Sequence, residues 1–312
     1  MKKFLKGAFR YYTTLYAKFR SETLFASSSN PWSYFNTLNE MDSQFLLVLS
    51  ACKIDDPEEN EKIKIISKHL DRTFTLLRLQ RAYDSNDFNE AIYDISKSIR
   101  EVSAESIPAI FEKKLLDMLS EKRSARATEP FQYAFFKSTS VSDLSSRFIR
   151  YFFARVDEFL ATEMKQGVRQ QIADIVTKTG KKTGFHIEHI LAHNDENLEK
   201  YEGDEELFEQ DRNRLGAVLL LKGRDNQSSN KEAYDDKLKT YANTLYWNET
   251  LRRDTYKSKL DFRDLVQRHQ LSFKALDYYG PEEVEARQRL LFDLATIIWD
   301  AKAEVALADR AA

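Results

Sequence analysis

GFHIEHILAHN, residues 184–194, gathers three of the chain's five histidines around a single glutamate. The segment FHIEHIL within it is short and β-like, and it predicts a strand. Adjacent residues on a strand point to opposite sides, so Glu188 and His189 reach one substrate atom only if the chain turns there. The stretch therefore predicts a strand that ends in a carboxylate next to an imidazole.

The segments that follow predict a second strand and a helix. Residues 195–211 carry nine acids against one lysine, which favours a solvated loop with a short helix. A second interpretation is that these acids mask a basic cleft until a partner moves them. LGAVLLL, residues 215–221, is typical of a buried strand. SSNKEAYDDKLKTYANTLY, residues 228–246, opens with a Ser/Asn cap signal and continues as a helix.

The rest of the chain has helical texture. Only 8 glycines and 5 prolines occur in 312 residues, well below average usage, so long helices with few tight turns are expected. Apolar residues recur at a helical period in several segments, as in EENEKIKIISKHLDRTFTLLRLQRAY after Pro57. We therefore predict a mainly α fold, with an all-helical scaffold domain over residues 1–165. A second domain over residues 166–312 would hold a small ββα core with C-terminal helices.

Composition excludes several classes of protein. Because the net charge is −2, any nucleic-acid surface must be a local patch. Cys52 is the only cysteine, which excludes an internal disulfide and a cysteine-rich zinc site and fits a reducing cytosol. No run of about 18 apolar residues is present, so no membrane span is expected. We therefore expect a cytoplasmic protein without a membrane partner.

Glu188 and His189 together suit the hydrolysis of a phosphodiester. A neutral imidazole can activate water, because its unperturbed pKa lies near about 6.5. A divalent metal can neutralise the charge on the departing oxygen. Mg²⁺ prefers oxygen ligands and keeps several waters, so one carboxylate and one amide carbonyl can suffice. The helix that begins near Ser228 offers Asn230 as that amide.

Three segments carry a resemblance to a known family. FHIEHIL, RNRLGAVLLL and NQSSNKEAYDDKLKTY resemble in order the HNH nuclease core, also called ββα-metal or His-Me finger, over about residues 184–241. They resemble most the C-terminal nuclease domain of GmrSD-type modification-dependent restriction enzymes and their phosphorothioation-sensing relatives. The resemblance implies a metal-dependent endonuclease that hydrolyses DNA in bacterial defence against phage.

The resemblance also implies roles for individual residues. Glu188 corresponds to the first metal ligand, and His189 to the general base. Asn230 corresponds to the ligand carried by the helix, with Asn226 as the alternative; a plain helix N-cap is the other interpretation of Asn230. The ion would be Mg²⁺ or Mn²⁺. His186, two residues before the glutamate, would assist phosphate binding or metal approach.

Basic residues around the core are candidates for DNA contact. Lys237 lies two turns along the predicted helix and could contact a backbone phosphate, although a plain surface lysine would look the same. Four further residues bracket the motif and would supply a phosphate footprint or serve solubility alone: Lys181, Lys182, Lys222 and Arg224.

Two departures from the family pattern bear on activity. The proline that follows the family's His-Ile-Leu is Ala192 here. The central Gly-Asn of the second strand is Gly216-Ala217 here, and Asn213 is the candidate substitute from the preceding turn. The Ala217 departure favours a rival hypothesis, in which a catalytically weakened HNH scaffold acts as a helical protein-interaction module. A zinc site that includes His193 is disfavoured, because HExxH is absent and a strand breaks the helical spacing.

The family's NTP-using, modification-sensing half has no counterpart in the motifs of this chain. TGKKTG, residues 179–184, lacks the glycine that a phosphate-binding P-loop places five residues before its Gly-Lys. We therefore expect a sensing domain or subunit outside this chain as a partner, together with DNA.

Overall fold

A computed structural model of the chain describes residues 5–26, 29–223, 225, 232–258 and 260–302. Contacts divide the chain into two compact units, one holding the residues up to Gln132 with the segment from Trp299, the other holding Tyr133–Ile298. We expected the division near residue 165. It falls earlier because the helix Ser146–Glu163 packs against elements of the second unit.

The first unit is helical throughout its described length. Its α-helices are α1 (Arg10–Glu22), α2 (Pro31–Leu38), α3 (Ser43–Ala51), α4 (Glu59–Leu79), α5 (Ser85–Ser98) and α6 (Ile107–Arg123). Helix α4 begins with acids in its first turn, which suits the positive end of the helix dipole. Its predicted apolar stripe is buried, at Ile63, Ile66, Leu70, Phe74 and Leu77. The long central helix therefore forms the core against α2, α3 and α6.

The second unit surrounds a two-stranded sheet with helices. Its helices are α7 (Tyr133–Phe136), α8 (Ser146–Glu163), α9 (Ile172–Thr177), α10 (Asp195–Glu199), α11 (Glu205–Arg212), α12 (Tyr234–Thr240), α13 (Tyr246–Glu249), α14 (Arg253–Ser258), α15 (Leu260–His269) and α16 (Pro281–Ile298). The acidic segment forms α10 and α11, two short helices that begin at the capping side chains of Asn194 and Asp204. With one small sheet among the described residues, the predicted mainly α fold is confirmed.

The sheet pairs strand β1 (Phe185–His189) with strand β2 (Val218–Lys222) in antiparallel register. Phe185 lies opposite Lys222 at one end, and His189 lies opposite Val218 at the other. The four apolar residues of β2 are fully buried, because α8 and α13 pack on the sheet. This burial on both faces explains the uninterrupted apolar run LGAVLLL.

A close approach of backbone to helix α16 fixes where β2 starts. Residues Leu215–Ala217 form a single 3-10 turn before the strand. A Cβ atom on Gly216 would lie 2.6 Å from the backbone nitrogen of Gln288. The Gln288 side chain accepts a hydrogen bond from the Gly216 nitrogen at 2.6 Å. Glycine is therefore required there by helix packing.

Within the described residues, no helix is both long enough and apolar enough to cross a membrane.

Candidate active site at the end of strand β1

A buried ion pair holds the carboxylate of Glu188. Lys237, on helix α12, donates to Glu188 Oε1 at 2.6 Å and to the carbonyl oxygen of His189 at 2.7 Å. The two side chains are 1% and 2% exposed. The ammonium of Lys237 compensates the charge of this buried carboxylate. Helix α12 therefore fixes both the acid of the Glu-His pair and the backbone of its histidine.

This position of Lys237 differs from the phosphate contact that we predicted. The ammonium points into the end of the strand and not toward solvent. The lysine therefore acts on Glu188 and on the strand end in this structure. We placed Lys237 two turns along the predicted helix, but α12 begins at Tyr234, so Lys237 lies about one turn from its start, on the side that faces the sheet.

The His189 imidazole is half-buried and oriented by Asn213. Its Nε2 lies 3.1 Å from Asn213 Oδ1. The Asn213 amide is itself oriented, because its Nδ2 donates to the Glu209 carbonyl at 2.7 Å and to Glu209 Oε2 at 3.2 Å. Oδ1 is thus an acceptor, and His189 Nε2 carries the proton.

Burial controls the charge of this imidazole. Desolvation, with smaller contributions from Arg212 and Lys237, lowers the pKa of His189 to about 4. The ring is therefore neutral at pH 7. With the proton on Nε2, the lone pair of Nδ1 can accept a proton.

The acidic helix α11 and its C-terminal end build this arrangement. Asn213 follows directly after α11, and Glu209 lies one turn earlier in it. Arg212 donates from Nε to the carbonyl oxygen of Leu191 at 3.0 Å, which ties down the chain just beyond β1. Glu209 was missed at the sequence level, because a glutamate within a strongly acidic run carries no local signal. The acidic segment therefore supplies a residue that positions Asn213, in addition to charges that face solvent.

At the Ala217 departure the backbone pairing is intact, and another residue contacts the histidine. Its side chain is fully buried and has no polar group. Its carbonyl oxygen nevertheless accepts a hydrogen bond from the nitrogen of Ile190 at 2.9 Å, which extends the pairing beyond the strand end. The carboxamide that contacts the histidine comes from Asn213, the substitute named from the sequence.

The other histidines of the motif lie in different surroundings. His186 Nε2 is 3.4 Å from the carbonyl oxygen of Gly180, beside the loop that precedes β1. His193 is 72% exposed at its side chain and lies 3.4 Å from Glu209 Oε1. Neither imidazole has a described contact with the carboxylate of Glu188.

Two parts of the predicted site lie outside the described residues. Asn226 and Asn230, the candidate amide ligands, fall there, and so does Arg224. Lys181 and Lys182 are exposed, and Lys222 is half-buried at the end of β2. In the part of the chain that the structure covers, no three His, Cys, Asp or Glu side chains lie close enough together to hold a metal.

Of the predicted metal ligands, Glu188 is the one that lies within the described residues, and its carboxylate is buried and paired with Lys237. Mg²⁺ retains most of its waters and is commonly held by one or two carboxylates and substrate phosphate. A cation held by Glu188 would share its carboxylate with the ammonium of Lys237.

Comparison with known proteins identifies a family for the second unit. The chain matches the family model described as GmrSD restriction endonucleases, C-terminal domain, over residues 133–294. No curated protein and no solved structure matches the chain. The match begins at the first residue of the second unit and ends within α16, so it covers the unit that holds the site. Because it spans more than half of the chain, this protein belongs to the family of GmrSD restriction endonuclease C-terminal domains.

Proposed function

We propose that the second unit is an HNH endonuclease module that hydrolyses DNA phosphodiester bonds with a divalent metal, in bacterial defence against foreign DNA. One observation carries the proposal: at the end of a two-stranded sheet, the buried, lysine-paired carboxylate of Glu188 is followed directly by His189, whose neutral ring is oriented by Asn213. The family supports the nuclease class and the DNA substrate.

His189 acts as the general base in this proposal. Nδ1 accepts a proton from a water molecule while the water oxygen forms a bond to phosphorus. The bond from phosphorus to the 3′ oxygen then breaks. The pKa near 4 keeps the ring neutral at physiological pH, so the lone pair of Nδ1 is free to interact with a water molecule. Asn213 holds the ring so that Nδ1, and not Nε2, is the acceptor.

Glu188 would hold Mg²⁺ or Mn²⁺ together with Asn230 or, alternatively, Asn226. When bound, the cation would neutralise charge that develops on the 3′ oxygen. The chain's own contribution is to keep the carboxylate ionised and fixed. Lys237 does both, through its bonds to the carboxylate and to the backbone of His189.

Recognition of a modified base or backbone would require a partner. We propose that a separate NTP-using sensing domain or subunit delivers DNA to this module. The rival hypothesis, a weakened scaffold that only docks proteins, rests on Ala217. It is disfavoured because Asn213 contacts the histidine in place of the missing asparagine.

A plasmid-nicking assay with Mg²⁺ or Mn²⁺ tests the proposal. His189→Ala should reduce cleavage by about 10²–10⁴-fold, the usual contribution of a positioned general base. His193→Ala is the matched control, because this exposed imidazole lies four residues away and should leave cleavage unchanged. Chelation by EDTA should abolish cleavage by the unsubstituted protein.

Two results would count against the proposal. Equal cleavage by the His189→Ala variant and the unsubstituted protein would remove the assigned base. Absence of cleavage by the unsubstituted protein, with its partner and metal present, would favour the scaffold hypothesis.

A further inference from the structure

A basic cleft of about 420 Å³ opens at the end of the sheet opposite the Glu-His pair. Lys182 and Thr183 line it from the loop before β1, and Lys222 lines it from the end of β2. Phe185 forms part of its apolar wall. The proposed hydrolysis does not use these residues.

Glycines allow the lysine-bearing loop to pack against the end of β2. Gly184 donates to the carbonyl oxygen of Gly180 at 2.7 Å, and Gly223 donates to that of Gly184 at 2.9 Å. A Cβ atom on Gly223 would lie 1.8 Å from the carbonyl oxygen of Lys181. TGKKTG does not have the spacing of a P-loop. The shape of this loop depends on contacts that exclude larger residues at Gly184 and Gly223.

Three lysines and two aspartates line the cleft, so the lysine charges are in excess. Lys178, also in the lining, is paired with Asp174 at 2.7 Å. Among the described residues, neither Lys182 nor Lys222 forms an ion pair, although Asp225 also lines the cleft. The Lys222 ammonium lies 5.8 Å from the centre of the Phe185 ring. Such a concave site, with one positive charge in excess and a hydroxyl, suits an anion.

The cleft and the histidine are on the same side of the sheet. Every second residue of a strand faces the same side, so one side of β1 carries Phe185, Ile187 and His189. Lys222 faces that side too, because it pairs with Phe185. The four residue steps from Phe185 to His189 along β1 span about 13 Å. Phosphates of one DNA strand recur at about 3.4 Å of axial rise, so this distance corresponds to a few nucleotides.

We infer that this cleft binds the DNA phosphodiester backbone a few nucleotides from the scissile phosphate, through the ammonium groups of Lys182 and Lys222. The inference rests on the proposed function, which identifies DNA as the substrate. The contact carries no base information, so it holds the duplex in register while the chemistry takes place at His189.

Binding of a fluorescent duplex by the full chain in EDTA tests the inference without cleavage. Each phosphate contact contributes about 0.9 to the slope of log K against log salt. Lys182→Gln and Lys222→Gln should each reduce this slope by about 0.9. The affinity ratio between about 50 and about 200 mM salt should therefore fall about 3.5-fold for each. Lys182→Arg and Lys222→Arg should keep the slope, because they keep the charge.

Lys274→Gln is the matched control, since Lys274 is an exposed lysine of the same unit that does not line the cleft. It should leave the slope unchanged. Unchanged slopes in both glutamine variants would overturn the inference while leaving the proposed hydrolysis intact. Loss of cleavage in His189→Ala with a normal salt slope would support the cleft as a separate binding element.

A free phosphate is the other source of the same ligand chemistry. Calorimetric titration with inorganic phosphate separates the two. Binding of inorganic phosphate that Lys182→Gln abolishes, combined with an unchanged duplex slope, would assign the cleft to a free anion and overturn the inference.

Discussion

Substitution of Lys237 by methionine tests the buried ion pair on which the geometry of the site depends. The substitution keeps most of the length of the side chain and removes the ammonium. It leaves Glu188, 2% exposed at its side chain, without the cation that lies 2.6 Å from Oε1. It also removes the bond to the carbonyl oxygen of His189 at 2.7 Å.

The expected loss of stability is large because one charge stays buried. Removal of one partner from a buried ion pair costs about 3–5 kcal/mol. With a urea m-value of about 1–3 kcal/mol per molar, the unfolding midpoint should fall by about 1 M or more. Glu188→Gln should cost a similar amount, since it leaves the lysine unpaired.

Urea unfolding followed by circular dichroism measures these changes. The double variant Glu188→Gln/Lys237→Met should lose less stability than the sum of the two single variants, because it leaves no uncompensated charge. Lys239→Met is the matched control on the same helix. Its ammonium is 78% exposed and pairs with Asp236 at the surface, so the midpoint should not change.

Two results would refute this reasoning. If Lys237→Met were as stable as Lys239→Met, the ion pair would contribute nothing measurable to folding. If the losses of the single variants were strictly additive, each side chain would act by packing alone and not through its partner's charge.

Two further predictions concern orientation and pH. Asn213→Ala removes one neutral hydrogen bond of about 1 kcal/mol from His189, so kcat in the nicking assay should fall about fivefold to tenfold with an unchanged KM; a change in KM alone would contradict a positioning role. Burial, with Arg72 and Lys68, lowers the pKa of His69 to about 3, so the unfolded chain takes up a proton below pH 6.5 that the folded chain does not. His69 should contribute a fall in stability of up to about 2 kcal/mol between pH 7 and pH 5, in addition to the fall that the lowered pKa of His189 causes. Urea unfolding at both pH values should show a loss smaller by this amount in His69→Leu than in the unsubstituted protein; an identical loss in both would exclude this imidazole as a source.

Local sequence determined the elements of this fold. Alternation and apolar runs predicted both strands, and the helical period of residues 59–79 predicted the long central helix of the first unit. These patterns are readable because a residue's place on a strand or a helix depends on its near neighbours. The family resemblance at residues 184–241 follows from the same short segments.

The direction in which a long side chain points could not be predicted from local sequence. Lys237 has the same spacing whether it faces a phosphate or the sheet, and only the packing of α12 directs it to Glu188, 49 residues away. Asn213 could be named as a substitute, but its contact with His189 depends on how the intervening acidic helices fold back. Glu209 gave no signal within its acidic run.

Sequence alone thus determined that both strands and the long central helix form, and which residue types could do the chemistry. Tertiary structure decided which of them meet, where the second unit begins, and that a lysine loop closes a cleft beside Lys222. The physical reason is that local periodicity fixes only the face on which a residue lies. Contacts across many residues depend on burial and charge compensation in the packed whole.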